Sequence, residues 1–457
     1  MRILLVHSYY RLRGGEDVVF EAEAKMLESF GHEVYCYTKN NEDLVGKSRL
    51  TNVKNTIWNQ TVANEITALI DQHGIEFVHF HNTFPSISPL AIRAAHRAGA
   101  VTVQTLHNSR PLCAAGVCYR DHQPCTDCVQ STFGYSAIRH ACFHDSRMAT
   151  GAVVLKNYIH RVRHTYLNFL DVAIAPTHYV RERYQASTVP YCPIAVKPHF
   201  LETNLTEGDG SGGYAMFVGR LSEEKGLRTL LDAWPKLKQR LDLKIVGKGP
   251  LEGEVRARSS QPTRSDHTAN AGNRITYLGQ LSQEQVYDAM GNAALLVLPS
   301  HCAESFGRVV IEAFAKGTPV VCANQGGQAE LVHPGVGGTF ISGDAIDLAK
   351  VIDSLVGAPD RSLSAMRTDA RREYERHYTA EINHEQLQRI YTEATRRRWP
   401  DRATVRDERK HHPASLKRID PMSPSLKSRR NTPQESDVQR DTNDELGRRA
   451  STGPETR

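Results

Sequence analysis

The stretch from Leu295 to Val321 dictates one particular kind of fold. It begins with a continuous apolar run, Leu295–Leu298, that stops at Pro299, as a buried parallel strand does at its carboxyl end. A short loop follows, and then an amphipathic segment that ends at Gly317 and predicts a helix. A second apolar run begins immediately afterwards. The stretch therefore predicts a strand–loop–helix–strand unit of an α/β protein.

The same alternation of strands and helices recurs in two series along the chain. The first series has predicted strands at residues 2–6, 34–37, 77–80, 101–106 and 171–175. The second series has predicted strands at residues 215–218, 243–246, 275–278, 295–298, 319–322 and 340–341. Because 457 residues exceed what a single hydrophobic core usually supports, we expect two α/β domains.

Changes in composition suggest where these domains begin and end. We expect a first domain over residues 1–206, with a cysteine-rich insertion at about 108–150, and a second domain over residues 214–380. The polar, glycine-rich run 207–213 has the composition of an interdomain linker. We expect an amphipathic helix at 381–398. Residues 399–457 have hardly any aromatic or branched apolar residues, so we expect them to be disordered.

Charge, hydropathy and cysteine content exclude several classes of protein. A net charge of +6 is mild for this length and gives no reason to expect a nucleic-acid partner. No apolar run reaches the roughly 18 residues of a transmembrane helix, and the first apolar run is too short for a secretory signal. The nine cysteines are an odd number, which fits a reducing cytoplasm. We expect a cytoplasmic protein, whose charge permits contact with the inner face of a membrane.

Charged side chains collect in the loops that follow strands of the second series. Glu304 and Glu312 bracket the turn between a strand and the next helix. Arg220 and Lys225 stand in another such loop, directly after Gly219. Ligands of open α/β sheets bind at this edge, and two cations there suit a diphosphate. Each group taken alone is also compatible with ordinary solvated side chains.

Four segments of the second series agree with one family. The segments GRLSEEKG, VGKGP, AESFGRVVIEAFAKGTPVV and GGQAELV resemble the donor half of the family 4 retaining glycosyltransferases. Glu304 and Glu312 match the E-x7-E element of that family. The resemblance covers about residues 1–395 and leaves the tail unmatched. It implies the GT-B fold, in which two Rossmann-like domains hold parallel sheets that face each other across a cleft.

The resemblance implies a nucleotide-diphosphate sugar as the donor. Arg220 and Lys225 would hold the diphosphate, Glu304 would contact the sugar hydroxyls, and Glu312 would accept both ribose hydroxyls. Arg308 stands where the family commonly has an apolar residue, and its role is left open. The expected donor-binding residues are Gly15, Gly219, Arg220, Lys225, Lys248, Glu304, Ser305, Phe306, Gly307 and Glu312.

The resemblance also implies the chemistry. Gly14 and Gly15 resemble the glycine loop beside the donor phosphate, and His107 matches the histidine that approaches the transferred sugar. The family implies retention of anomeric configuration by a front-side mechanism, without a metal or other cofactor in catalysis. The expected catalytic residues are Glu304, His107, Arg220 and Lys225.

Five cysteines lie close together after the fourth predicted strand. Cys125 and Cys128 have C-x2-C spacing, and Cys113 with Cys142 would complete four thiolates for a structural zinc ion. Free thiols packed in a loop are the alternative. Because the insertion adjoins the expected cleft, we expect it to shape acceptor binding.

The sequence therefore predicts transfer of a hexose to a saccharide or lipid-linked saccharide, in the biosynthesis of cell-surface polysaccharide. Two other classes stay open. One is an epimerase or phosphorylase with the same fold, although Arg220 and Lys225 disfavour a phosphorylase because they suit a diphosphate. The other is a non-catalytic sugar-binding or assembly protein.

Overall fold

The computed structural model describes residues 1–400 except 12, 45, 47, 204, 260–272 and 359–362. The described residues all belong to one compact unit, residues 1–413. We expect disorder over residues 399–457, and residues 401–457 of this tail lie outside the described part of the chain.

The first half of the chain forms a six-stranded parallel sheet with the order β2-β1-β3-β4-β7-β8. Strands β3 and β4 are buried over their whole length, although both carry polar side chains such as His79 and Gln104. A separate antiparallel hairpin of β5 and β6 lies between β4 and β7 in the chain. The strands are β1 (Arg2–Tyr9), β2 (Glu33–Asn40), β3 (Phe77–Asn82), β4 (Val101–Thr105), β5 (Tyr119–Arg120), β6 (Gln123–Pro124), β7 (Val172–Ala175) and β8 (Ile194–Val196).

The second half forms a second six-stranded parallel sheet, with the order β11-β10-β9-β12-β13-β14. The strand order reverses between β9 and β12, as it does between β1 and β3 in the first sheet. Ligands of such sheets bind beyond the carboxyl ends of the strands at these reversal points. The strands are β9 (Tyr214–Val218), β10 (Asp242–Val246), β11 (Ile275–Gly279), β12 (Leu295–Leu298), β13 (Val320–Ala323) and β14 (Gly337–Phe340).

Helices connect the strands of both sheets, and two parallel sheets of this kind are the α/β architecture that the sequence predicts. No helix in the described ranges is long and apolar enough to cross a bilayer. The helices of the first half are α1 (Gly15–Ser29), α2 (Arg49–Ile57), α3 (Gln60–His73), α4 (Leu90–Arg97), α5 (Tyr135–Arg139), α6 (Arg147–Val162), α7 (Thr165–Asn168) and α8 (His178–Gln185). The remaining helices are α9 (Leu227–Ala233), α10 (Glu252–Ser259), α11 (Gln283–Asn292), α12 (Arg308–Ala315), α13 (Gly327–Leu331), α14 (Ala345–Val356), α15 (Leu363–His377) and α16 (Ala380–Arg398).

The last helix, α16, packs on the first sheet although it follows the second sheet in the chain. Leu387 and Tyr391 share a core cluster with Ile3 and Phe77 of that sheet. The Tyr391 hydroxyl lies 2.9 Å from Nδ1 of His79. Burial of the apolar face of α16 therefore ties the end of the described chain to its beginning.

The glycine-rich run expected to be a linker joins the two sheets but is not a free tether. The N–H of Gly208 donates to the Lys316 carbonyl over 3.1 Å, and the N–H of Gly210 donates to the Gly291 carbonyl over 3.0 Å. A Cβ on Gly208 would lie 2.1 Å from the Gly291 carbonyl oxygen. The glycines therefore permit close packing against the second half, rather than the flexibility that their composition suggested.

Helix α6 was missed in the sequence. Its buried face mixes the apolar Val153 and Val154 with the polar Thr150, Lys156, His160 and Arg161, so the apolar periodicity that marks most helices is weak. These polar side chains lie in the first half, next to the end of β4. They become important below.

Candidate active site

The loop between β12 and α12 carries four of the ten predicted donor-binding residues, Glu304 to Gly307, and glycines from the next loop support it. The N–H of Gly327 donates to the Glu304 carbonyl over 2.6 Å. A Cβ on Gly327 would lie 2.2 Å from the Ser305 carbonyl oxygen, and one on Gly326 would lie 2.7 Å from the Glu304 nitrogen. Only glycine allows this approach, so the GGQAELV segment shapes the loop that holds Glu304.

Lys225 and Glu304, predicted to act on the same ligand, are in contact. The Lys225 Nζ donates to Glu304 Oε1 over 2.9 Å, and the Ser300 hydroxyl donates to the same oxygen. Burial raises the pKa of Glu304, but Lys225 and Ser300 outweigh it and the pKa lies below its usual range. Burial opposes charge on Lys225, yet Glu304 raises its pKa overall. Both groups are therefore ionised at neutral pH.

Arg308, whose role the sequence left open, pairs with Glu312. The two side chains lie one turn apart on α12, with Arg308 Nε 3.2 Å from Glu312 Oε1. Both are mostly buried, at 17% and 13% side-chain exposure. Burial raises the pKa of Glu312, and Arg308 counteracts this only in part. Arg308 therefore favours the ionised form of the carboxylate that the sequence assigned to ribose.

Arg220 stands exposed at the carboxyl end of β9. Within the described ranges, no carboxylate lies within ion-pair distance of its guanidinium. A Cβ on Gly247 would lie 1.8 Å from the Gly219 carbonyl oxygen, so the loop with the exposed Lys248 packs directly on the Arg220 loop. The loop glycines thus bring these two cations to one edge of the second sheet.

The glycine loop of the first half is tied to the end of β4. Gly15 begins α1, and the N–H of Gly14 donates to Asp17 over 2.8 Å. Asn108 Nδ2, next to His107, donates to Glu16 over 2.6 Å. Two predicted elements of the first half, the glycine loop and the strand-end histidine, are therefore held side by side.

His107 of the first half is linked to the second half through His199, a histidine that sequence reasoning missed. His107 Nε2 lies 3.0 Å from His81 Nδ1, and the ring of His107 stacks on His199 with centroids 5.2 Å apart. His199 in turn contacts Phe306 edge-on at 4.9 Å. Burial, reinforced by the neighbouring histidines, holds the pKa of His107 well below its usual range. His107 is therefore neutral, and it lies two ring contacts from the predicted donor loop.

Hydrogen bonds also cross directly between the halves. The Thr177 hydroxyl donates to the Ser305 carbonyl over 2.9 Å. Glu330 accepts from the N–H groups of His178 and Tyr179 at the start of α8, so it caps a helix of the first half. The carboxyl edges of both sheets therefore meet around the Glu304 loop.

The predicted zinc ligands lie near one another, since the charges of Cys113, Cys125 and Cys142 all act on Cys128, but no three of them lie within 4.8 Å in the described residues. Among the described residues, the one group of three potential ligands within 4.8 Å of one another is Glu23, His79 and His81, and it includes no cysteine. All nine cysteines are free thiols. Zinc at Cys113, Cys125, Cys128 and Cys142 stays a prediction.

The group of Glu23, His79 and His81 forms a buried ion-pair network. Lys197 Nζ lies 3.5 Å from the Glu23 carboxylate, and His79 Nδ1 lies 2.8 Å from it. Burial would raise the pKa of Glu23, but these neighbours hold it well below its usual range. Lys197 already balances the charge of the Glu23 carboxylate, so the network needs no metal ion for charge balance.

Two family models match the chain one after the other. Residues 13–205 match the model described as Glycosyltransferase Family 4, and residues 208–373 match the model described as Glycosyl transferases group 1. The two matches correspond to the two sheets. Together the two matches extend over most of residues 13–373, and both models describe glycosyltransferases.

Curated relatives match a limited stretch of the chain. A D-inositol 3-phosphate glycosyltransferase 1 of Catenulispora acidiphila is 37% identical over 163 residues, which is 34% of this chain and 38% of the relative. A D-inositol 3-phosphate glycosyltransferase of Rhodococcus opacus is 34% identical over 163 residues, which is 35% of this chain and 36% of the relative. The chain therefore spans little more than a third of the length of these relatives.

Solved structures share the fold across most of the described chain. The HepE protein of Anabaena in complex with UDP has a TM-score of 0.59 at 18% identity, covering 85% of this chain and 99% of that one. The sucrose-phosphate synthase of Thermosynechococcus elongatus has a TM-score of 0.58 at 19% identity, covering 85% and 98%. At these identities the likeness establishes the GT-B fold.

Proposed function

We propose that this protein transfers a hexose from a nucleotide-diphosphate sugar to an acceptor, with retention of anomeric configuration. The observation that carries the proposal is the pairing of Lys225 with Glu304 at the reversal point of the second sheet, with the exposed Arg220 in the same loop as Lys225. Cations there suit a diphosphate, and an ionised carboxylate beside them suits sugar hydroxyls.

The donor would lie along the carboxyl edge of the second sheet. Arg220 and Lys225 would hold the diphosphate and stabilise the charge that develops on the leaving group. No hydrogen bond of the described residues uses the N–H groups of Ser305, Phe306 and Gly307, which precede α12. These groups are free to donate to phosphate or sugar oxygens at the positive end of that helix. Gly219 and Lys248 would line the same edge.

The ribose would bind at Glu312. Its carboxylate can accept two hydroxyl hydrogen bonds, and Arg308 favours the ionised form that this requires. Gly15 would lie beside the donor phosphate from the opposite side of the cleft. A Cβ on Gly15 would meet no atom within 4 Å, so the space beside this residue is open.

His107 would face the transferred sugar from the first half. Because it is neutral, it can accept or donate one hydrogen bond without adding a charge near the reacting carbon. In a front-side mechanism, the leaving phosphate would take the proton of the acceptor hydroxyl. Positive side chains would then do the work that a metal ion does elsewhere.

We further propose a saccharide or lipid-linked saccharide as the acceptor, and a role in cell-surface polysaccharide synthesis at the inner face of the membrane. Cross-half contacts such as Thr177 to Ser305 support a cleft that excludes water from the reacting sugar. The HepE complexes contain UDP and UDP-glucose, which makes UDP-glucose the first donor to test.

The transfer proposal is tested by following release of free nucleoside diphosphate from UDP-, GDP- and ADP-sugars. A transferase releases the diphosphate in proportion to added acceptor and yields an α- or β-linked product of the same configuration as the donor. Conversion of the nucleotide sugar into its epimer in the absence of acceptor, with no net release of diphosphate, would favour the epimerase alternative. Neither release nor epimerisation with any donor, with or without acceptors, would favour the non-catalytic reading.

A further inference from the structure

A cavity lies beside His107 in the first half. It has a volume of about 30 Å³, room for two or three water molecules or the oxygens of one small anionic group, and lies between the carboxyl ends of β3 and β4 and helix α6. His107 and His81 form part of its wall, and Arg110, Lys156 and Gln104 form another part. No carboxylate is among the lining residues.

Lys156 is a buried cation without an anionic partner. Its side chain is 3% exposed, and its Nζ lies 4.7 Å from the centroid of the Phe84 ring. In the described part of the chain, no carboxylate lies within ion-pair distance of it. Burial and the nearby Arg110 lower the pKa of Lys156 to about 7. A buried amino group with only an aromatic face nearby destabilises the fold when it is charged. An anion in the cavity would stabilise its charged form.

Arg110 places a second cation at the same wall. Its guanidinium lies over the rings of Phe84 and Phe143, and Nη1 donates to the Ala114 carbonyl over 3.0 Å. Its Nε is buried and has no hydrogen-bond partner. The charge of Glu16 lies near Arg110, but the Glu16 oxygens accept from Tyr10 and Asn108. Arg110 therefore keeps hydrogen-bonding capacity toward the cavity.

Gln104 supplies an uncharged polar group to the same wall. The residue is 6% exposed, and its Oε1 is buried without a partner. Because the oxygen and nitrogen of an amide exchange places by a simple flip, this group can donate as well as accept. Two unpaired cations and an unsatisfied amide around an empty space form a site for an anion with several oxygens.

We propose that this cavity binds an anionic oxygen group of the acceptor, a phosphate or a carboxylate, and so places the acceptor beside His107. The inference rests on the proposed function, since it gives the acceptor of that reaction an acidic group. Lys156 would act as a point charge and Arg110 as a directional donor, with Gln104 completing the set. An acceptor without the acidic group would leave both cations buried and unpaired, which gives the site its selectivity.

The test is calorimetric binding to the full-length protein saturated with UDP, so that anions do not enter the donor site. The three probes are glucose 1-phosphate, glucuronate and methyl glucoside, which carry a phosphate, a carboxylate and no charge. We expect at least one acidic probe to bind about tenfold or more tightly than methyl glucoside. The tighter of the two acidic probes identifies the acceptor's anion.

The variant Lys156→Met should remove this preference, and the exposed Lys350→Met serves as a control that should keep it. Since Lys156→Met removes a buried charge, we expect it to fold and to melt at the same or a higher temperature than the wild type. Equal binding of acidic and neutral probes, or an unchanged preference in Lys156→Met, would overturn the proposal.

The experiments distinguish a wrong cavity proposal from a wrong donor-site proposal. If the wild type does not bind UDP, the donor assignment fails, and the same titrations are run without UDP in an Arg220→Ala background. Anion binding that still depends on Lys156 upholds the cavity there. Anion binding that is absent, or independent of Lys156, overturns it.

Discussion

Lys225 Nζ donates a 2.9 Å hydrogen bond to Glu304 Oε1 and so joins the loop after β9 to the loop after β12. The two loops flank the point where the strand order of the second sheet reverses. An arriving diphosphate would meet a lysine already fixed in place, so little ordering entropy would be lost on binding. The same contact keeps Glu304 ionised.

Lys225→Met should lower kcat/KM for the donor by about a hundredfold or more, because it removes one charge-stabilising donor. Lys350→Met, exposed and distant in the chain, should leave kcat/KM unchanged. Steady-state kinetics with the best donor measures both. Equal kcat/KM in the Lys225 variant and the wild type would show that Lys225 does not contact the phosphates.

The pH dependence of the Lys225→Met variant should differ from that of the wild type. Burial raises the pKa of Glu304 and Lys225 lowers it, so loss of the lysine raises that pKa. Glu304 has a depressed pKa in the wild type, so its contribution to stability is present above its unfolded pKa and is lost as pH falls through the folded value. We expect the acid limb of the pH–rate profile to move to higher pH in Lys225→Met. An acid limb that stays in place would contradict the contact.

Arg308→Leu tests whether Arg308 supports ribose binding through Glu312. Burial already raises the pKa of Glu312, and loss of Arg308 should raise it further. UDP binding should therefore weaken more at pH 5.5 than at pH 8 in this variant, as judged by calorimetry. Glu312→Gln should weaken binding at both pH values by about tenfold or more. Tighter binding in Arg308→Leu would mean that Arg308 competes with ribose for the carboxylate.

Gly327→Ala should displace the loop that carries Glu304. The new Cβ would lie 2.2 Å from the Ser305 carbonyl oxygen, so the backbone has to move. We expect a loss of about 1–3 kcal/mol in the free energy of unfolding and a larger relative loss of kcat/KM. Gly253→Ala is the matched control, because a Cβ there meets nothing within 4 Å and Gly253 lies within helix α10. That variant should be equally or more stable than the wild type by denaturant unfolding.

Glu330→Gln tests whether the contact between Glu330 and the start of α8 holds the two halves together. Glu330 accepts from two N–H groups at the start of α8, and neutralising it weakens these charge-assisted bonds. We expect a larger radius of gyration by small-angle X-ray scattering in the absence of nucleotide. The exposed Glu385→Gln should scatter like the wild type. An unchanged radius in Glu330→Gln would show that other contacts set the closure.

Sequence reasoning placed the predicted donor-binding residues at one sheet edge because its signals are local, and that this edge binds the donor stays a prediction. The cation loop at Arg220–Lys225 and the carboxylates Glu304 and Glu312 each follow an apolar strand directly, so the fold alone brings them to one edge. The pairing of Arg308 with Glu312 follows from their spacing of four residues on a helix, a signal present in the sequence but not used.

The features missed in the sequence depend on long-range packing. His199 follows a three-residue strand, and only the folded chain brings its ring between His107 and Phe306. Lys156 lies on a helix whose buried face is largely polar, so hydropathy gave no sign that its amino group is buried. The glycines of 207–213 read as flexible because their close contact with Gly291 spans more than eighty residues of sequence.

The central claim is that the carboxyl edge of the second sheet binds a nucleoside diphosphate. Isothermal titration of the wild type and of Arg220→Ala with UDP, GDP and ADP tests it most directly. We expect one of the three to bind the wild type and to bind Arg220→Ala about tenfold or more weakly, while the melting temperature stays the same. Binding of none of the three, or equal affinity for both proteins, would contradict the claim.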